Sequence, residues 1–209
     1  MQSVQLISQN ISFERNNQLL FEQLNFTLSG GESLQVLGAN GCGKSTLLRI
    51  LAGLIEPQEG KVLWENFPIQ HSDTFQRQLH YLGHQNGLKP NLTVCENLHL
   101  SSALLSQTQS ENLIHASLKQ LGLEHLAHTQ VVNLSAGQSR RVALARLLLK
   151  PASLWILDEP TTALDANAQQ LLINLLNQQL EKNHIVIVAT HQYLPLQGNA
   201  RTLEMGVAI

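Results

Sequence analysis

Apolar positions along the chain follow two different periods, and the alternation between them predicts the order of the elements. Short apolar runs without helical spacing predict buried strands, at 33–37, 61–64, 80–82, 154–157 and 185–189. Segments in which apolar residues recur every three or four positions predict helices instead. The predicted helices cover 44–53, a stretch from 93 toward 105, a stretch from 110 to 122, then 135–150 and 166–181.

Helix start and stop signals set these limits. Thr93 followed by Glu96 has the spacing of a capping box, and Ser135 has the side chain of an N-cap residue. Ser110 is predicted to open a helix that Gly122 ends, and Pro151 is predicted to end the helix that begins at Ser135. Strands and helices thus lie on both sides of a mostly helical middle, which indicates an α/β fold with an inserted helical subdomain over roughly residues 86–150.

Length and composition restrict the kind of protein. The 209 residues predict a single domain, and 13 Lys plus Arg against 15 Asp plus Glu give a net charge of -2. A near-neutral chain does not favour nucleic-acid binding, and the opening residues predict no secretory signal. No stretch reaches the length of a membrane span, so membrane association is expected only through partners. With two cysteines, of which Cys42 lies in a predicted phosphate site, a reducing cytosol is the natural setting.

Residues 38–45 match the phosphate-loop pattern G-x-x-x-x-G-K-[ST], between a predicted strand and a predicted helix. Glycines let successive N–H groups point at phosphate oxygens, and the helix N-terminus adds partial positive charge. Lys44 is predicted to reach the β- and γ-phosphates, and the Ser45 hydroxyl to bind Mg²⁺. The predicted ATP-binding residues of this segment, called the phosphate loop below, are Gly38, Ala39, Asn40, Gly41, Cys42, Gly43, Lys44, Ser45 and Thr46.

The apolar strand predicted at 154–157 runs directly into two carboxylates, Asp158 and Glu159. In open α/β sheets, ligands bind beyond the carboxyl ends of the strands, which is where the phosphate loop is also expected. Asp158 is predicted to hold the magnesium shell, and Glu159 to polarise the attacking water. Two acids at a strand end are common, so this prediction depends on the phosphate loop.

Residues 134–138, Leu-Ser-Ala-Gly-Gln, resemble the LSGGQ signature of the ABC-transporter ATPases, with alanine at its third position. The resemblance implies an ABC-type ATPase core with a β-rich N-terminal part and a head-to-tail homodimer. In such a dimer the signature of one copy binds the γ-phosphate of ATP held by the other. The residues assigned to that contact are Ser135, Ala136, Gly137 and Gln138. Ser135 could equally be an ordinary N-cap residue, and both roles are compatible.

Four further assignments rest on position relative to these motifs. The resemblance implies that Gln85 contacts the metal and the water, that Asp165 contacts the opposing subunit, and that His191 contacts the γ-phosphate. Phe13 is either the aromatic residue that stacks on adenine or a core phenylalanine. Catalysis is therefore assigned to Lys44, Gln85, Glu159 and His191, and Mg²⁺ binding to Ser45, Gln85 and Asp158.

Three arginines, Arg140, Arg141 and Arg146, follow the signature. They could assist an anion, but for at least two of them we expect a solvated or partner-facing surface.

Within the ABC family the chain is most similar to the ATP-binding subunits of the cytochrome c biogenesis system, often called the haem exporter. The segments that carry this similarity are 81–89, 134–138, 140–146, 154–160 and 190–192. The resemblance implies integral-membrane partners of a cytochrome c maturation complex, at the cytoplasmic face of the bacterial inner membrane. The alternatives are an ABC ATPase for a metal or a lipoprotein, and a soluble, non-transport ABC switch.

Overall fold

The computed structural model describes residues 4–104 and 111–206, and the statements below refer to those residues. Nine strands and six α-helices form there. The strands are β1 (Gln5–Arg15), β2 (Gln18–Ser29), β3 (Glu32–Gly38), β4 (Glu59–Trp64), β5 (Phe67–Pro68), β6 (Leu79–Leu82), β7 (Leu154–Asp158), β8 (Ile185–Thr190) and β9 (Asn199–Met205). The helices are α1 (Lys44–Leu51), α2 (Asp73–Gln78), α3 (Val94–Leu104), α4 (Glu111–Gln120), α5 (Ala136–Ala145) and α6 (Ala166–Glu181).

Each strand predicted from an apolar run is present, with limits that differ by at most two residues. Helix α6 has the predicted limits. The prediction of one helix over 135–150 is wrong in its second part, because α5 ends at Ala145 and a 3₁₀ turn, Arg146–Leu148, follows. A proline disfavours helical geometry in the residue before it, so the chain tightens and leaves the helix ahead of Pro151. The predicted end at Leu105 and start at Ser110 lie outside the described residues.

Two sheets organise the strands. An antiparallel sheet has the order β2-β1-β4-β5, and it contains the long β1–β2 hairpin, whose strands the apolar runs did not reveal. A parallel sheet has the order β6-β7-β8-β3-β9. Strands β7 and β8 are buried at every position, as expected where helices cover both faces of a parallel sheet.

The described residues separate into two compact units. The first contains Met1–Gly83, Ala152–Pro160 and Leu175–Ile209, and it includes both sheets. Its apolar core lies where α1 packs against the parallel sheet, with Leu47 and Leu51 from the helix and Ile156 and Ile187 from the strands fully buried. This packing fixes the start of α1 relative to the carboxyl ends of the strands.

The second unit contains His84–Pro151 and Thr161–Asn174. Helix α4 packs against both α3 and α5 there, and Leu98, Ile114 and Val142 are fully buried. Thr93 and Glu96 form the predicted capping box at the start of α3, with the Thr93 N–H donating to the Glu96 carboxylate over 2.7 Å. Among the helices described in either unit, none combines the length and the apolar character needed to cross a bilayer.

Candidate functional site

The carboxyl ends of the parallel strands place three predicted motifs side by side in the first unit. In the register of the sheet, Leu37 lies opposite Thr190, and Asp158 lies opposite Ala189. The next residues along each chain segment are Gly38, Glu159 and, one position after Thr190, His191. Because neighbouring strands are separated by about 4.8 Å, the whole group spans about 10 Å across the sheet.

The phosphate loop turns between β3 and α1, and two of its positions require glycine. Gly38 has φ +151°, and a Cβ atom there would lie 2.6 Å from the Met205 carbonyl oxygen of the neighbouring strand β9. Gly43 precedes α1 with φ 104°, in a left-handed conformation, and offers no side-chain cap. No side chain therefore caps the first N–H groups of α1. Uncapped N–H groups at a helix N-terminus can bind an anion.

Lys44 is buried, with 5 % of its surface exposed, although it carries a positive charge. Its Nζ atom donates to the carbonyl oxygens of Gly38 and Ala39, over 2.7 and 3.0 Å. An ammonium group has three donors, and two of those of Lys44 bind backbone carbonyl oxygens of the phosphate loop. The loop therefore positions the Lys44 charge. Around it, Ala39, Asn40 and Gly41 are exposed, and Ser45 and Thr46 in the first turn of α1 are half-buried.

Asp158 and Glu159 have different surroundings. Asp158 ends β7 with 1 % of its surface exposed. Glu159 follows with φ 48°, and its N–H donates to the Ala189 carbonyl oxygen over 2.9 Å. This left-handed turn is sparsely populated by non-glycine residues, and it turns the Glu159 side chain away from the strand direction.

Glu159 and His191 are in direct contact. Nε2 of His191 lies 2.7 Å from Oε1 of Glu159, and the two side chains are 43 % and 18 % exposed, respectively. The imidazole is thus reachable from solvent, while the carboxylate is mostly covered. The sequence placed these two residues after separate strands, and the parallel pairing of β7 with β8 brings them together.

Tyr81 is a neighbour of this group that the sequence motifs did not single out. It lies on β6, opposite Ile156 of β7. Burial raises the pKa of Tyr81 above its usual value and the Asp158 charge adds to this, while the Arg49 contacts act in the opposite direction. The phenol therefore stays neutral beside Asp158 at physiological pH.

The signature residues lie at the start of α5 in the second unit. Ser135 is exposed, and its Oγ accepts a hydrogen bond from the Gln138 N–H over 3.2 Å. The Gln138 side chain accepts in return from the Ser135 N–H over 2.8 Å, which completes a capping box. The N-cap interpretation of Ser135 is therefore confirmed, and its outward exposure remains compatible with an anion contact.

Alanine at the third signature position causes no backbone strain, because Ala136 is the first residue of α5 in ordinary helical geometry. Glycine is required at the next position, Gly137. A Cβ atom at Gly137 would lie 2.5 Å from the carbonyl oxygen of Ala163, so the two segments of the second unit approach closely there. Together they line a cavity of about 290 Å³ with Ser135, Ala136, Gly137, Gln138, Arg141, Ala163, Leu164, Asp165 and Ala168.

Asp165 occupies the N-cap position of α6, where its Oδ1 accepts from the Ala168 N–H over 2.8 Å. Gln85 is exposed and lies three residues beyond the end of β6. Phe13 lies on β1, half-buried, and stacks on Phe21 with 6.4 Å between ring centroids. The functional assignments of these three residues stay predictions.

The expectation of a solvated or partner-facing surface is wrong for Arg140, and it stays a prediction for Arg141 and Arg146, which are half-buried. Arg140 is buried, and its Nη1 donates to the Asn86 side-chain oxygen over 3.0 Å. Arg146 is half-buried and donates to the Asn86 backbone oxygen over 2.9 Å, while Arg141 donates to the Leu121 carbonyl oxygen over 3.1 Å. They hold loops of the second unit, because guanidinium groups satisfy several backbone carbonyls at once.

Comparison with known proteins agrees with these motifs. The ABC transporter family matches residues 21–162. The chain is 42 % identical over 206 residues to the cytochrome c biogenesis ATP-binding export protein CcmA of Methylococcus capsulatus, covering 98 % of this chain and 100 % of that protein. It is 47 % identical over 182 residues to the protein of the same name in Escherichia coli K12, covering 87 % and 86 % of the two chains.

Solved structures give the same fold. A putative ABC transporter ATP-binding protein from Pyrococcus furiosus has a TM-score of 0.84 at 24 % identity, with 95 % of this chain and 97 % of that chain covered. The ATP-binding cassette MJ0796, solved as a dimer in a post-hydrolysis state with ADP and Pi, has a TM-score of 0.79 at 28 % identity, covering 90 % and 88 %. The chain belongs to the ABC transporter family of ATP-binding, ATP-hydrolysing subunits, and within it to the group of cytochrome c biogenesis ATP-binding export proteins.

Proposed function

We propose that this chain hydrolyses ATP in a membrane complex that delivers haem for cytochrome c maturation. The names of its relatives place them in cytochrome c biogenesis, and the similarity extends over nearly the whole chain. One ATPase domain over residues 1–209, with the helical subdomain inserted, is part of the proposal. The interleaving of the two units along the chain supports it, because neither unit is a continuous stretch of sequence.

The observation that carries the catalytic assignment is the contact of Glu159 with His191 beside the phosphate loop. A general base must lie within hydrogen-bond reach of a water near the phosphate, and it must be held in one orientation. The 2.7 Å contact with His191 holds the Glu159 carboxylate, and the bond from the Glu159 N–H to the Ala189 carbonyl oxygen holds the Glu159 backbone. Glu159 is therefore proposed to accept the proton of the attacking water, and His191 to orient Glu159 and contact the γ-phosphate.

The residues around the loop suit ATP with Mg²⁺. The Asp158 carboxylate and the Ser45 hydroxyl are oxygen donors of the kind that Mg²⁺ prefers, and both lie at the carboxyl edge of the parallel sheet. When bound, Mg²⁺ neutralises phosphate charge. Lys44 and the free N–H groups of α1 bind the phosphate oxygens, and Lys44 exchanges its loop carbonyls for them. The assignment of Gln85 to the same metal depends on the family resemblance.

A head-to-tail homodimer completes the proposal. Ser135 and Ala136 are exposed at the start of α5, so a second copy can bring its nucleotide against them. Binding of ATP would close two copies, and hydrolysis would let them separate. The related cassette MJ0796 was solved as a dimer with ADP and Pi, which supports the dimeric state.

We place the dimer on integral-membrane subunits at the cytoplasmic face of the bacterial inner membrane, with membrane association through those partners alone and no nucleic acid. Purification of the tagged chain from membranes, with partners identified by mass spectrometry, tests this. Recovery of cytochrome c maturation subunits supports the haem role. Recovery of subunits for a metal or a lipoprotein would indicate the alternative transport function, and failure to bind any membrane subunit would indicate the non-transport switch.

The replacement Glu159→Gln tests the catalytic assignment. It keeps the shape and a hydrogen bond to His191 but removes the proton acceptor, so kcat should fall by about 10² to 10⁴ while ATP still binds. Steady-state ATP hydrolysis and equilibrium ATP binding measure the two effects. The control Glu56→Gln makes the same charge change at an exposed position between α1 and β4 and should leave kcat unchanged. Hydrolysis by Glu159→Gln at the parental rate would contradict the assignment of Glu159 as the general base.

A further inference from the structure

Gln35 is a buried polar residue that none of the motifs includes. It lies in the middle of β3, and its side chain is fully buried, with 0 % exposed. Its strand neighbours Leu34 and Val36 pack in the apolar core with α1. Because side chains alternate along a strand, Gln35 points to the opposite face of the parallel sheet.

Both ends of the Gln35 amide bind one residue of the segment that follows β8. Its Nε2 donates to the Leu194 carbonyl oxygen over 2.9 Å, and its Oε1 accepts from the Leu194 N–H over 2.8 Å. The Gln35 side chain thus forms with the Leu194 backbone the pair of hydrogen bonds that a residue of a neighbouring strand would form. Leu194 lies three residues after His191, and it is separated from Gln35 by 159 positions in sequence.

A second pair of hydrogen bonds joins Thr190 and Gln192, the residues on either side of His191. The Thr190 hydroxyl accepts from the Gln192 N–H over 3.2 Å and donates to the Gln192 carbonyl oxygen over 2.9 Å. His191 is therefore carried on a short segment that is held at 190–192 by Thr190 and at Leu194 by Gln35. An exposed imidazole on an untied loop would sample many orientations, whereas here it meets Glu159 at 2.7 Å.

We propose that Gln35 is a positioning residue for ATP hydrolysis, which acts by fixing the backbone that carries His191 toward Glu159 and the γ-phosphate. This inference rests on the catalytic role proposed above for His191. Gln35 also lies on the strand that leads directly into the phosphate loop, three residues before Gly38. The same strand therefore sets the position of the phosphates and that of the histidine that contacts them.

The replacement Gln35→Met tests the proposal, because methionine keeps the length of the side chain and removes both hydrogen bonds. We expect kcat to fall about 10- to 100-fold, the loss that follows when a catalytic group moves by about 1 Å. The KM for ATP should stay within about twofold, since the phosphate loop is untouched. In Gln35→Glu, burial favours the protonated carboxyl group, which can still accept from the Leu194 N–H and donate to the Leu194 carbonyl oxygen, so this variant should lose less activity than Gln35→Met. It also provides the test if Gln35→Met does not fold.

A double-mutant cycle with His191→Ala separates positioning from general damage. If Gln35 acts through His191, adding Gln35→Met to His191→Ala should lower kcat by less than about twofold. A matched control is Asn177→Leu on α6, which removes another largely buried amide that binds the connection between β8 and β9, where Asn177 accepts from the Gln197 N–H over 2.9 Å. It should lower the thermal midpoint and leave kcat unchanged.

Several outcomes would overturn the inference. They are an unchanged kcat in folded Gln35→Met, a full multiplicative loss in the double mutant, and an equal loss of kcat in Asn177→Leu. If His191→Ala alone leaves kcat unchanged, the role of His191 in the proposed function fails first, and the inference fails with it. A large effect of His191→Ala with none of Gln35→Met would overturn the inference alone.

Discussion

The two helix N-termini that carry the strongest motifs are built in opposite ways. Helix α1 follows Gly43, which has no side chain and a left-handed conformation, so no cap covers its first N–H groups. Helix α5 follows Ser135, whose hydroxyl and backbone N–H both pair with Gln138. Either helix start attracts an anion through its partial positive charge, but a side chain occupies the Gln138 N–H at α5, whereas no side chain caps α1.

This difference matches the two roles that the proposed mechanism needs. The open terminus, with Lys44 buried beside it, can bind phosphates in a single chain. The capped terminus has already used part of its donor capacity, so it suits a weaker contact that forms and breaks with a second copy. We infer that affinity for nucleotide depends mainly on α1 and that dependence on a partner copy comes from α5.

The largest expected effect is at the open terminus, in Gly38→Ala. The added Cβ would lie 2.6 Å from the Met205 carbonyl oxygen, in a backbone conformation that alanine avoids. Since both atoms belong to paired strands, the free energy of unfolding should fall by about 2–4 kcal/mol, and ATP binding should be lost. Thermal unfolding and equilibrium ATP binding measure these effects.

Its matched control is Gly41→Ala in the same loop. Gly41 also has positive φ, +83°, but no atom lies within 4 Å of a Cβ built there. Only the conformational cost of about 1 kcal/mol remains, so the free energy of unfolding should fall by about that amount. Equal losses in the two variants would show that the close contact with Met205 does not shape the loop.

A smaller effect is expected at the capped terminus, in Ser135→Ala. Loss of the cap should reduce the free energy of unfolding by about 1 kcal/mol. ATP binding to a single chain should be unchanged, because the donors of α1 are untouched, whereas hydrolysis should fall if two copies share the site. Ser139→Ala, one turn further along α5, is the control for both measurements. A drop in single-chain affinity for ATP in Ser135→Ala would break the division of roles between the two termini.

The smallest effect concerns α3, a third terminus that is capped by a charged side chain. Hydrogen bonds from the Thr93 backbone and hydroxyl hold the pKa of Glu96 below its usual value. A lowered pKa in the folded state means that stabilisation is present above the usual glutamate pKa and is lost as pH falls through the folded value. The difference in thermal midpoint between the parent and Glu96→Gln should therefore shrink between about pH 7 and pH 3.

The neutral cap at α5 is the internal reference for that experiment. Gln138 does not titrate, so the midpoint difference caused by Ser135→Ala should stay constant over the same pH range. If both differences changed alike with pH, the charge of Glu96 would not be the cause.

Local features of this protein could be predicted from the sequence alone. The phosphate loop, the capping box Thr93–Glu96, the N-cap residue Ser135 and the limits of α6 each depend on residues within a few positions of one another. Backbone hydrogen bonds and side-chain caps at such spacing need no knowledge of the rest of the chain. The α/β class also followed, because it depends only on the order of the elements.

Tertiary structure decided the contacts between distant segments. The 2.7 Å contact of Glu159 with His191 requires β7 and β8 to pair in one register, and the Gln35–Leu194 pair spans 159 positions. The expectation of a surface position was wrong for Arg140, because its burial depends on a contact with Asn86, which is 54 positions away in sequence. Local patterning sets which element forms, but strand order and register are set by burial of the whole core, and they determine which side chains meet.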